Sequence, residues 1–272
     1  MLESMSKMFL DAYERPARLL PALLVLLPVP VLVVCFFGSV KIVATSAISV
    51  IAYCGAGYAL ARIARNAGKG IQDRLFVKWG GAPTTQLLRH SNKHFDAHTK
   101  ERFHAVLSAG LGKVLPNPTS ELAEPAAADE LYRAAAIWLI GQTRDTKRFP
   151  LVFKENVSFG FHRNALGVRW FGVTVTLACL FIAMVNAKVL GRSSPYFSLE
   201  RLAQLSPVAA LFFGVSCLML LAWLFWLGEV ATKRAGFAYA ERLLQSCDDL
   251  KEPPVRTRKP KVGLTRPERP EA

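Results

Sequence analysis

Four long apolar runs divide the chain. The first, Leu19 to Phe37, reads LLPALLVLLPVPVLVVCFF and carries no charge. The second runs from Ile42 to Leu60, the third from Phe171 to Val189 and the fourth from Pro207 to Leu227. A helix of roughly twenty apolar residues crosses the ~30 Å hydrocarbon layer of a bilayer. In lipid such a helix satisfies its own backbone hydrogen bonds. The runs are continuous rather than alternating, which argues against a β-barrel. Gly38 and Ser39 leave room only for a tight turn between the first two runs, and a short polar stretch with Ser193, Ser194 and Pro195 separates the last two. The predicted fold is all-α: a polytopic membrane protein with four transmembrane helices in two hairpins and a helical cytoplasmic domain between them.

The polar remainder divides by composition. Residues 1–65 hold the N-terminal segment and first hairpin, 66–167 the central domain, 168–228 the second hairpin, and 229–250 a cytoplasmic helix. The tail, 251–272, is rich in Pro, Lys and Arg, cannot bury a core and is predicted to be disordered. Within the central domain, Gly80-Gly81-Ala82-Pro83-Thr84-Thr85 breaks structure and restarts it: Pro83 suits a first helical turn, and Gln86, Leu87 and Leu88 begin a short helix. Asp96 or Thr99 opens another helix with Phe103, Val106 and Leu107 on one face, and Gly110 and Gly112 end it. Pro116-Asn117-Pro118-Thr119-Ser120 reads as a loop with a cap. A longer helix spans about Ala126 to Thr143, and one after Pro150 leads into the third run.

Composition and charge fix the orientation. The chain has 272 residues, 52% of them hydrophobic, and a formal net charge of +14. Such a charge suits nucleic acid or an anionic leaflet. The segment from Arg62 to Arg163 holds 16 Lys/Arg against 9 Asp/Glu, whereas the two hairpin turns together hold four Lys/Arg. Basic flanks stay on the cytoplasmic side, so both termini are expected there. The net charge is thereby accounted for, and a nucleic-acid partner is not required. The first run is too long for a signal-peptide core and is preceded by Glu3, Asp11 and Glu14, so it reads as an anchor. Cys35, Cys54, Cys179 and Cys217 lie in apolar runs and Cys247 near the C-terminus, without metal-binding spacing; all read as reduced and structural.

Candidate chemistry is concentrated between the hairpins. Lys78-Trp79-Gly80-Gly81-Ala82-Pro83-Thr84-Thr85 is the most unusual string. Two readings stand for it. It is a structural turn, or it is an anion site in which Gly80, Gly81, Thr84 and Thr85 offer donors and Lys78 and Arg89 add charge. No GK[ST] follows, so it is not a Walker motif. Arg144, Lys147 and Arg148 form a basic loop suited to lipid headgroups or an acidic partner, or simply to solvent. His90, His94, His98 and His104 recur along one stretch, but Ser91-Asn92 and Asp96 predict a turn within it, and no metal site is assigned. Glu155 and His162 share a helix face without an evident nucleophile. No catalytic or cofactor signature is complete. The runs hold no ionisable residue well inside, which argues against an ion-coupled transporter.

The strings WGGAPTTQLLRH and TRDTKRFPLVFKENVSFGFHRN are similar to those of a group of uncharacterised bacterial membrane proteins. That resemblance covers the spans and the central domain, attaches no activity, and implies the bacterial inner membrane. The two-hairpin layout also resembles membrane effectors of bacterial antiphage systems, in architecture alone. The expected function is non-enzymatic. The cytoplasmic domain senses a protein partner or ligand and signals to a bundle that, having only four spans per chain, acts as a homo-oligomer in membrane lipid. A channel or transporter subunit, and an enzyme acting on lipid or nucleotide, remain the alternatives.

Overall fold

The computed structural model of the chain describes residues 10–37, 41–191 and 196–250, with only the backbone described over 41–52. The Gly38-Ser39 turn, Ser193 to Pro195 and the tail 251–272 lie outside the described residues. Within them the chain is all helical apart from one isolated bridge, Leu190 to Phe197. We number the helices α1 (Arg15–Phe37), α2 (Lys41–Trp79), α3 (Pro83–Leu88), α4 (Ala97–Leu111), α5 (Pro118–Ala123), α6 (Pro125–Gln142), α7 (Pro150–Asn186), α8 (Leu199–Ala203), α9 (Pro207–Trp226) and α10 (Glu229–Leu250).

Three of these, α1, α7 and α9, are long and apolar enough to cross a membrane. Large apolar side chains on them, including Val34, Phe181, Leu211, Leu218 and Phe225, point outward. In water such exposure is costly, whereas lipid accommodates it. The second expected span, Ile42–Leu60, lies in α2, where much of it falls outside the described side chains. Arg62, Arg65 and Lys69 end that apolar run but not its helix, which continues to Trp79.

Local signals set most of the boundaries. Asp96 accepts from Thr99 N and opens α4, which Gly112 closes with φ +67°. Asn117 accepts from Ser120 N and opens α5. Ser206 does the same for α9 through Ala209 N. At the end of α2, Gly81 N donates to Phe76 O at 2.7 Å and Gly80 N to Val77 O at 3.1 Å. These are the two bonds of a Schellman cap, and they require the left-handed backbone that Gly80 adopts at φ +84°.

Three apolar cores stack along α7. The head core combines Leu87, Phe103, Leu107, Tyr132 and Leu139 with Val152 of α7 and with Leu243, Leu244 and Cys247 of α10. Residues 229–250 therefore complete the core of the central domain rather than form a separate appendage. The middle core joins Leu19 and Val25 of α1, Ala61 and Ala64 of α2, Val168 and Val173 of α7, and Trp223 of α9. The far core joins Leu32, Cys179, Ala183 and Phe212. One helix of 37 residues, roughly 55 Å long, thus belongs to all three.

Small residues let the other helices approach α7. A Cβ on Gly167 would sit 2.6 Å from Gly68 N, so α2 and α7 cross with their backbones in contact. A Cβ on Gly172 would meet the Trp223 ring at 2.4 Å. Glycines at such crossings let helix backbones approach and pack closely.

Candidate functional site

The Gly80-Gly81 string forms the joint between α2 and the head. Its two N–H groups are directed back into α2 by the cap. Lys78 Nζ donates to Glu229 Oε2 at 2.7 Å, and Trp79 Nε1 to Glu229 Oε1 at 3.2 Å. These bonds hold the carboxyl of Glu229 below its usual range, Lys78 being the main cause. Arg89 makes a two-pronged contact to Asp129, at 2.8 and 2.6 Å, and also donates to Gly80 O at 2.8 Å. Gln86 Nε2 donates to Gly81 O at 2.6 Å. Thr85 is buried and Thr84 half-buried on α3. The structure brings Gly80, Gly81 and Arg89 together, and it engages Lys78 and Arg89 with the chain's own carboxylates.

The basic loop is a different surface. Arg144 and Lys147 are exposed between α6 and α7. Asp145 Oδ1 accepts from Lys147 N at 2.9 Å and Arg148 N at 3.2 Å, which folds the turn. Arg148 lies over the Phe149 ring and donates to Asp249 O at 2.8 Å, tying the loop to the end of α10.

The densest polar network lies in the head, beside an open cleft of about 780 Å³ lined by His90, Phe95, Lys100, His104, Val114 and Pro116. Lys100 is buried and donates to three carbonyls: Arg89 O at 2.9 Å, His90 O at 3.3 Å and Asn92 O. Burial pushes its ammonium down, and the charge of Glu121 partly offsets that. Glu121 accepts from His90 N at 2.9 Å, Ser91 N at 3.4 Å and the Tyr132 hydroxyl at 2.6 Å. Burial pushes its carboxyl up, but these donors outweigh burial and leave it below the usual range. Burial and Glu121 push the Tyr132 hydroxyl far up, so it stays a donor.

The histidines have separate surroundings. His104 Nε2 lies 2.8 Å from Leu88 O and His90 Nε2 lies 2.9 Å from Pro116 O. A carbonyl only accepts, so each Nε2 carries the proton. Burial holds the His104 imidazole below its ordinary value. The two rings meet edge to face at 4.7 Å. His94 lies instead against Glu241 of α10, at 3.3 Å. Among the described residues no three His, Cys, Asp or Glu side chains converge as a metal would need.

The network holds the backbone at residues 89–92. Lys100 satisfies carbonyls and Glu121 satisfies N–H groups that no helix serves, which buried backbone requires. Sequence reasoning missed Lys100, Glu121 and Tyr132 as a set. They are up to 32 residues apart, and each alone resembles an ordinary solvated or core position. The turn within the histidine run was the one local signal that a loop needed holding. No family model, curated protein or solved structure matches the chain.

Proposed function

We propose that the chain is a four-span protein of the bacterial inner membrane, with Ile42–Leu60 of α2 as the fourth span and both termini in the cytoplasm. In this reading the head binds a protein partner or ligand, and the binding shifts an oligomeric bundle, as in a membrane effector of antiphage defence. The molecule acts by movement rather than by a covalent reaction. The observation that supports this is α7, whose residues belong to the head core and to both bundle cores. A displacement of the head cannot be absorbed by a linker there, because the connection is itself packed helix. The head cleft, walled by His90, Phe95 and His104 and opening to solvent, is the surface we assign to sensing.

The test begins with purification of the full chain from membranes and native mass spectrometry, to count subunits and identify what co-purifies. Dye-loaded vesicles containing the protein are then challenged with the co-purified component. Release that depends on that component supports the effector reading. Flux without any trigger supports a channel subunit instead. Vesicles that stay sealed under the trigger, with a strictly monomeric protein, sink both.

A further inference from the structure

Three arginines from three helices stand at neighbouring points where the bundle joins the head: Arg18 on α1, Arg65 on α2 and Arg163 on α7. Asn164 Nδ2, next to Arg163, lies 2.7 Å from Ala17 O, next to Arg18, and a Cβ on Gly68, three residues past Arg65, would lie 3.1 Å from Arg163 O. The acceptors facing Arg163 are neutral. It donates to Gln72 Oε1 at 2.6 Å and, over longer distances of 3.3 and 3.4 Å, to Asn164 Oδ1. Glu14 is paired with Arg18. Arg65 Nε is buried and has no hydrogen-bond partner among the described residues. Of the three, Arg18 pairs with a carboxylate, Arg163 bonds to neutral acceptors, and Arg65 holds a buried donor that nothing among the described residues meets. Buried donors normally have partners, so the cluster suits an anion.

The cluster's position indicates which anion. Arg18 directly precedes the first apolar run, Arg65 follows the second by five residues, and Arg163 precedes the third by eight. All three stand at the head-side end of the apolar bundle, where a bilayer places its phosphate layer. Guanidinium groups present planar forks that match phosphate oxygens. We propose that Arg18, Arg65 and Arg163 bind one phosphate group, that of an anionic lipid headgroup in the leaflet facing the head. This depth assignment rests on the membrane reading above, but the test below does not depend on signalling or on subunit number.

Thermal unfolding of the full chain in detergent is measured with added phosphatidylglycerol, with phosphatidylcholine, and with inorganic phosphate alone; native mass spectra record retained lipid. Phosphatidylglycerol is expected to raise the midpoint by several degrees more than phosphatidylcholine and to persist as an adduct. Arg65→Gln and Arg18→Gln should each remove at least half of that difference, whereas Arg133→Gln on the exposed face of α6 should leave it intact. Arg65→Lys keeps the charge but not the fork, and should recover only part of the effect. Inorganic phosphate that reproduces the full shift, and loses it in Arg65→Gln, identifies the same site as one for a soluble phosphate ligand. Equal shifts from both lipids with no response to phosphate overturn the proposal. So does a full phosphatidylglycerol effect in both Gln variants. Each variant's own midpoint in phosphatidylcholine is the reference, so a general loss of stability does not imitate loss of the site.

Discussion

Pro21 has no N–H, so the carbonyl four residues before it, on Ala17, lacks its α-helical donor. Asn164 of α7 supplies one: it is fully buried and its Nδ2 lies 2.7 Å from Ala17 O. The first turns of α1, Arg15–Leu19, are wound as a π-helix at this point. Asn164→Ala removes that donor from a buried carbonyl, which costs about 1–3 kcal/mol. Thermal unfolding in detergent should show a lower midpoint, and an unchanged one would mean that water replaces the amide. The same reasoning applies in the head. Tyr132→Phe removes the hydroxyl that donates to Glu121 at 2.6 Å and leaves a buried carboxylate one donor short. A loss of about 1–3 kcal/mol is expected, read as faster thiol labelling of the buried Cys247 in the same core. His104 sets a pH dependence. Its folded value lies below 6.5, so between the two values the unfolded chain binds more protons than the folded one. Stability contributed by the neutral ring is therefore present above 6.5 and drains as pH falls through the folded value. Glu121, also lowered, adds a loss of the same sign further into acid. The thermal unfolding midpoint should fall from pH 7.5 down to 5, and His104→Gln, which keeps an N–H for Leu88 O, should flatten the upper part of that curve.

Helix ends were legible because they are set by neighbours in sequence. Asp96, Gly112 and the prolines at 125, 150 and 207 mark starts and stops that the structure keeps, whereas Pro118 to Ser120, expected as loop, form the first turn of α5 behind the Asn117 cap. Gly80 and Gly81 were recognisable as a break, but the string alone left a cap and an anion site open. The choice depends on whether the N–H groups point forward into α3 or back into α2, which only the positive φ values decide. What could not be read was which helix each polar residue faces. Asn164 and Arg163 are adjacent in sequence, yet Asn164 reaches α1 while Arg163 reaches Gln72 on α2. Nor does the sequence mark Gly167 as special among the glycines, although it faces Gly68 backbone to backbone. Gly167→Val should separate α2 from α7, because its new Cβ would lie within 3 Å of backbone on both Ala67 and Gly68. Overpacking of this kind costs about 1–3 kcal/mol, with more where backbone must move. Gly141→Val on α6, with nothing within 4 Å of its added Cβ, is the control that should change little. Equal losses in the two variants would show that valine's helix propensity, not the crossing, is responsible.

The head and the bundle meet through two kinds of connection that differ in strength. Glu229, at the start of α10, holds Lys78 and Trp79 through a pair that is largely exposed, with Lys78 67% and Glu229 36% accessible. Such surface pairs contribute about 0–1 kcal/mol and open readily. The connection through α7 is continuous helix with side chains in every core, and nothing along it is loose. Head and bundle should therefore unfold together, with α7 as the common member. Two buried cysteines report the two ends: Cys247 in the head core and Cys179 in the far bundle core. On heating the full chain in detergent, both should become reactive at the same temperature. Asn156 lies on α7 between Val152 of the head core and Ala165 of the middle core, and is only half-buried. A proline there removes a backbone donor and clashes with the preceding turn, at a cost of about 3 kcal/mol to the helix. Asn156→Pro should split the single transition in two, with Cys247 exposed at a lower temperature than Cys179, because the small head loses the support of the bundle. Separate transitions in the unmodified chain would mean that α7 joins two independent units, and a mechanism that passes movement along it would then have no rigid element to act through.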